Sequence, residues 1–126
     1  MYPYSLIGNG QVMALVAEQE VSVDWFCVPG PDGPPVFGAL LDSEGGAFRL
    51  KGGEGAHYAQ TYVENTNVVR TRVTTSAGVF DVVDFFPRFE QYGRMYRPVS
   101  LFRIVEPVSG SPTLSVAVNP VDGWSK

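Results

Sequence analysis

Alternation of apolar and polar residues organises most of the chain. Between Asn67 and Thr75, Val69, Thr71 and Val73 fall on one face and Arg70 and Arg72 on the other. A period of two is that of a β-strand. Val79 to Phe86 repeats it, with Phe80 and Val82 opposite Val79, Val83 and Phe85, and Ser76-Ala77-Gly78 between them reads as a turn. The two runs form a hairpin in which Arg70 and Arg72 can pair across the strands with Asp81. Gln11 to Ala17 and Val21 to Val28 form a second hairpin around Glu18-Gln19-Glu20. In the latter run Val21, Val23, Trp25 and Cys27 share a face, opposite Ser22, Asp24, Phe26 and Val28. The mixed second face predicts a strand covered on both sides. Ser5 to Ile7 reads as a short edge strand ended by Gly8-Asn9-Gly10. Ala47 to Leu50, Val99 to Val105 and Thr113 to Val118 read as further strands, with a turn from Pro107 to Pro112.

The exception to strand periodicity lies in Val21 to Leu41, the stretch that the other segments support. Pro29, Pro31, Pro34 and Pro35 remove backbone donors and end sheet pairing. Pro35 suits the first position of a helix. Val36, Phe37, Leu40 and Leu41 follow at the spacing of a buried helical stripe. The expected architecture is all-β: about eight strands with turn signals every 8–12 residues or so, one short helix, and an antiparallel β-sandwich, whole or partial.

Composition narrows the possibilities. The 126 residues suit a single domain. With 44% hydrophobic and 17% charged residues, a packed core is expected. A net charge of −4 argues against a nucleic-acid binder. One cysteine, Cys27, excludes an internal disulfide, and the absence of a long apolar run or charged leader predicts a cytoplasmic protein with no membrane segment. Gly8-Asn9-Gly10 lacks the Lys-Ser/Thr pair of a phosphate loop. His57 stands alone, a poor start for a metal site, and no cofactor is expected.

Candidate chemistry concentrates in Pro87 to Pro98, read as an irregular loop. Phe89, Tyr92 and Tyr96 interleave there with Arg88, Arg94 and Arg97. Aromatic faces beside polar groups suit sugar rings. The same set can pack as cation–π pairs at a domain contact. Two carboxylates, Asp24 and Asp84, are flanked by large apolar residues. Each could have a raised pKa or serve as a structural hydrogen-bond partner. The remaining acids read as turn or solvated-face residues, so no catalytic pair is assigned.

The run SLIGNGQVMALVAEQEVSVDWFCVPGPDGPPVFGALLDSEGGAFRL resembles the N-terminal domain of glycoside hydrolase family 15, the glucoamylase and trehalase-like proteins. TNVVRTRV, VFDVVDFFPRFEQYGRMYRP and FRIVEPVSG agree with it in order. The family usually has an Arg and an aromatic residue where Gly30 and Pro31 stand, Ser where Gly33 stands, and Asp-Gly in the turn at Glu18 to Glu20. The resemblance implies a non-catalytic sandwich that packs on a helical domain carrying the catalytic acid and base. It further implies inverting hydrolysis of terminal α-glucosidic bonds by the whole protein, and an α-glucan or α-glucoside near the contact. On this reading Trp25, Asp32, Phe37, Phe89, Tyr92, Arg94, Tyr96 and Arg97 form the domain contact or substrate rim. The alternatives are a free-standing carbohydrate-binding module using Tyr92, Tyr96 or Trp124, and a structural module. A sandwich shorter than the family's would leave unpaired edges prone to self-association.

Overall fold

A computed structural model describes residues 3–123. Trp124 lies outside the described residues. The strands are β1 Tyr4–Gly8, β2 Met13–Ala17, β3 Ser22–Cys27, β4 Pro35–Phe37, β5 Ala47–Lys51, β6 His57–Tyr62, β7 Val69–Thr75, β8 Gly78–Phe85, β9 Phe89–Gln91, β10 Arg94–Tyr96, β11 Phe102–Gly110 and β12 Ser115–Asn119. One sheet runs β1-β2-β3-β5-β12, with β4 added to β3. The other runs β11-β8-β7-β6, and β9 and β10 form a separate ribbon. Every pairing is antiparallel.

The two sheets enclose one apolar cluster. Ile7, Ala14, Val16, Val23, Phe26 and Leu50 contribute from the first sheet; Tyr58, Val69, Val73, Phe80 and Val82 contribute from the second. On β7 and β8 the faces are those that alternation predicts. Arg72 lies opposite Asp81 in the register. Its Nε donates to Asp81 Oδ1 at 2.9 Å, and Arg70 Nη1 donates to Asp81 Oδ2 at 3.0 Å.

Four expectations are corrected. Pro35 to Leu41 forms no helix. Phe37 pairs with Phe26 on one side of β4, while Val121 N and Gly123 N donate to Val36 O and Pro35 O on the other. With both edges of β4 occupied, only a single turn remains, where Leu41 N and Asp42 N donate to Gly38 O. Leu40 and Leu41 are exposed. Among the described residues the one helical element is a 3-10 turn at Gln19–Val21.

Second, β3 does not alternate throughout. Leu15 faces Trp25 but Val16 faces Val23, so Asp24 is an extra residue in a β-bulge. The bulge reverses the parity and puts Phe26 into the core beside Val23. It also frees the Asp24 carbonyl to accept from Leu40 N at 3.0 Å. Third, β11 runs on through the expected turn to Gly110, with a bulge between Pro107 and Ser109. Fourth, the Pro87 to Pro98 segment is a hairpin rather than an irregular loop.

Side-chain hydrogen bonds tie the two sheets together. On one margin Tyr62 Oη accepts from Leu6 N and donates to Leu6 O, both at 2.9 Å, and Ser5 Oγ donates to Gln60 Oε1 at 2.6 Å. Deeper inside, Arg103 of β11 reaches across. Its Nε donates to Asp84 Oδ1 at 2.6 Å and its Nη2 to Asp84 Oδ2 at 3.2 Å. Nη1 donates to Phe48 O at 2.9 Å, and Nη2 donates to Val21 O. The guanidinium also lies 4.7 Å from the Phe48 ring centre. Asp84 is 0% exposed and the Arg103 side chain 3%. Burial pushes the Asp84 carboxyl up, and the Arg103 guanidinium opposes that rise.

Removing one partner of a buried pair leaves an uncompensated charge. Arg103→Leu is therefore expected to cost about 3–5 kcal/mol in urea unfolding. Asp84→Leu added to it is expected to restore part of that loss. A single change no worse than a surface substitution would contradict the clamp.

Acid should weaken the fold through a different group. Hydrogen bonds from Arg72, then from Arg70, hold the Asp81 carboxyl below its usual range against the effect of burial. A depressed folded-state pKa gives stability that is present above the ordinary carboxylate range, about pH 4, and is lost as pH falls through the lowered value. Asp84, pushed up, binds its proton more readily when folded and adds no such loss. Asp81→Asn should thus lower stability at neutral pH and flatten the decline below about pH 4, as read by chemical denaturation across the range.

Candidate functional site

The β9–β10 hairpin is exposed along its whole length and is held in place by side chains and backbone together. Its turn residues Tyr92 and Gly93 have φ of 53° and 73°. Positive φ at both centres is the two-residue turn that matches strand twist. Glycine takes this conformation freely, whereas tyrosine does so rarely. Tyr92 is thereby presented at the tip, 91% exposed. Behind it Phe89 and Tyr96 stack, centroids 5.3 Å apart and planes 17° from parallel. Phe89, Met95 and Tyr96 are all exposed, as are Arg94 and Arg97.

The base of the hairpin is fixed by Asn9, which is buried. Its Nδ2 donates to Pro87 O and to Pro98 O, each at 3.0 Å, and so bridges the two ends of the segment. Its Oδ1 accepts from Gln11 N at 2.9 Å and Val12 N at 3.1 Å, which also sets the β1–β2 turn. Arg97 lies across the same turn, its guanidinium carbon 3.6 Å from where a Cβ on Gly10 would stand.

The proline loop approaches this turn from the other side. A Cβ on Gly30 would lie 3.4 Å from Gln11 O. Gly33 N donates to Gly30 O at 2.9 Å, and Val28 N to Pro34 O at 3.2 Å. A Cβ on Gly33 would come within 2.1 Å of Val28 O, so this loop path requires glycine there. Asp32 is exposed on the loop. The hairpin and the proline loop therefore share one end of the sandwich, with the Gly8 to Val12 turn between them. An open groove of 710 Å³ adjoins the hairpin, walled by Tyr62, Asn65, Asn67, Phe85, Arg88 and Phe89 among others.

The remaining candidates lie elsewhere. Phe37 is in the core, 5% exposed, with its ring 6.5 Å from Phe26 and 6.1 Å from Phe48. Trp25 is half-buried opposite Leu15 on β3. Asp24 accepts from Tyr4 Oη at 3.1 Å and from Ser22 Oγ, a structural arrangement at the bulge. His57 is exposed on β6. Among the described residues no group of three His, Cys, Asp or Glu side chains is placed to hold a metal ion.

Residues 2–125 match the family described as trehalase-like, N-terminal. The chain belongs to that family. The trehalase-like domain is 31% identical to a trehalase of Mycobacterium tuberculosis over 93% of this chain and 19% of that protein. It is 38% identical to trehalase 1 of Sulfolobus acidocaldarius over 69% of this chain and 15% of that protein. A trehalase of Thermoplasma volcanium is 31% identical over 98% of this chain and 20% of its own length. The domain thus spans about a fifth or less of these relatives. No solved structure matches it. Among the described residues no helix is long and apolar enough to cross a membrane.

Sequence reasoning missed Asn9 as the link between the turn and the hairpin. Its place between two glycines marks a turn, but not the carbonyls 78 and 89 residues away that it holds. Asn9→Ala removes four hydrogen bonds and leaves two part-buried carbonyls and the buried Val12 N–H without their partner, so a loss of about 1–3 kcal/mol is expected. Amide exchange in β9 and β10 should rise more than in β7 and β8. Equal exchange in both hairpins would contradict the fastening role.

Proposed function

We propose that this trehalase-like domain is the non-catalytic N-terminal part of a family 15 glycoside hydrolase. In that protein it packs on a helical catalytic domain through the end that carries the hairpin and the proline loop. The observation that carries this reading is the match over residues 2–125 to proteins named trehalases that are about five times longer. The geometry supports it. The two buried carboxylates, Asp81 and Asp84, are each held by arginine and so are poorly placed for proton transfer. Exposed Tyr92, Met95 and Arg94 sit on a fastened hairpin, the kind of aromatic and Arg anchor that dominates interfaces. Phe89, Tyr96, Arg97 and Asp32 would extend the contact, and the adjoining groove would lie at the rim of the sugar site.

The reaction of the whole protein, on this proposal, is inverting hydrolysis of a terminal α-glucosidic bond. Trehalose is the first substrate to try and an α-1,4-glucan the second. Two carboxylates from the helical part would flank the bond, about 6.5–9.5 Å apart. A cytoplasmic setting belongs to the proposal, in keeping with a single unpaired cysteine.

The test compares the 126-residue chain with the protein expressed from its complete reading frame. The chain alone should release no glucose from trehalose or maltose. The complete protein should do so, and from trehalose one β-glucose (the attacked residue) and one α-glucose (the leaving residue) should appear in equal amounts before mutarotation. Tyr92→Ala with Arg94→Ala should lower its kcat/KM about tenfold, the loss of ~1.4 kcal/mol at one contact. Hydrolysis by the chain alone, or no effect of the double change, would refute the assignment.

A further inference from the structure

Asn9 and Gly10 are the one Asn-Gly pair in the sequence. An asparagine side chain loses ammonia when the backbone nitrogen of the next residue attacks its Cγ, and glycine, with no Cβ, obstructs that attack least. The fold adds to this local tendency. Asn9 Oδ1 accepts from Gln11 N at 2.9 Å and from Val12 N at 3.1 Å. Two backbone donors on one carbonyl oxygen are the arrangement that stabilises a tetrahedral oxyanion. The Gly10 nitrogen makes no hydrogen bond among the described residues, so none has to break before it reacts. The Arg97 guanidinium carbon lies 3.6 Å from where a Cβ on Gly10 would stand. Positive charge is thus beside that nitrogen as it gives up its proton. Gly10 and Gln11 are exposed, and Gly8 and Asn9 line the open groove, so water reaches the turn.

The other asparagines lack this set. Asn65 and Asn67 precede Thr66 and Val68, whose branched side chains crowd the attacking nitrogen, and Asn119 precedes Pro120, which has no N–H. What the Asn9 amide holds gives its loss a consequence. Nδ2 donates to Pro87 O and Pro98 O, each at 3.0 Å, and so closes the two ends of the β9–β10 segment. A carboxylate has no proton to donate. Its oxygen would face those two carbonyl oxygens and repel both.

We propose that Asn9 is a deamidation site and that its conversion unfastens the β9–β10 hairpin. Gly10 N gives up its proton and bonds to Cγ; the Cγ–Nδ2 bond breaks, and Nδ2 takes up a proton and leaves as ammonia. Water then opens the five-membered imide at one of its two carbonyls, giving aspartate or isoaspartate at position 9. Water is the one co-reactant, and no electrons change hands. The isoaspartyl product also adds a methylene to the backbone of the β1–β2 turn. Neither step involves the rest of a longer polypeptide, so this inference stands or falls apart from the proposed domain contact.

The test ages the folded 126-residue chain in mildly alkaline buffer and follows it by peptide mass spectrometry. Asn9 should convert ahead of the exposed Asn65 and Asn67, giving aspartate and isoaspartate together. Converted molecules, separated by ion exchange on their extra negative charge, should exchange the β9 and β10 amides at least about tenfold faster, with β7 and β8 as protected as before. Asn9→Asp makes one product directly and should show the same pattern without ageing; if it does not fold, the aged wild-type chain decides. Asn9 that stays intact while Asn65 or Asn67 converts, or that converts only in urea, overturns the proposal. Conversion that leaves hairpin protection unchanged overturns it as well.

Discussion

Arg103 is the residue on which the two-sheet arrangement depends. Three acceptors from separate strands and the 3-10 turn converge on one guanidinium: the Asp84 carboxylate, Phe48 O and Val21 O. A guanidinium is a planar fork with five donors, which allows it to bind a carboxylate with two nitrogens and still reach backbone carbonyls. A lysine could hold the charge but not this geometry. Because the pair is dry, its attraction works against a large desolvation cost, so its main consequence is register rather than net stability. It fixes β11 against β8 at Arg103–Asp84 and the second sheet against Val21 and Phe48 in the first. An apolar contact has no such directional requirement.

The rest of the molecule follows from that registration. With the sheets aligned, Asn9 at the end of β1 falls below the two ends of the β9–β10 segment and fastens them. The proline loop is held on the other side of the same turn. Rigid strands thus carry short exposed segments at one end, the usual division between a scaffold and the loops that make contacts. The opposite character appears at β11 and β12, where core-facing valines meet solvent. The domain is therefore well packed at its centre and leaves apolar side chains exposed at that margin.

Much of this was legible in the sequence where one local rule acted alone. Val69, Thr71 and Val73 against Arg70 and Arg72 needed only a period of two. The Arg72–Asp81 pairing followed from the tight turn at Ser76 to Gly78. The all-β class and the family resemblance rested on many such segments. Rules in competition were not legible. Val36 to Leu41 has helical spacing, but pairing on both sides of β4 decided otherwise. Val21 to Val28 alternates in sequence, yet a bulge at Asp24 exchanges the faces of Trp25 and Phe26. Phe37, expected at a contact, is a core ring because it lies opposite Phe26. The Arg103–Asp84 clamp could have been suspected: a lone arginine in LFRIV and a lone aspartate in VVDFF each need a buried partner. Nothing local joins Asn9 to Pro87 and Pro98.

The central claim is that the hairpin end of this domain faces the catalytic part of a longer trehalase-like protein. Its most direct test is to place a photoreactive benzoylphenylalanine at position 92, in place of the exposed Tyr92, in the protein from its complete reading frame, and to map the cross-links by mass spectrometry. Cross-links to peptides outside residues 1–126, concentrated in one helical region, are the predicted result. Reaction only with solvent, or only with residues of this domain, would contradict the account.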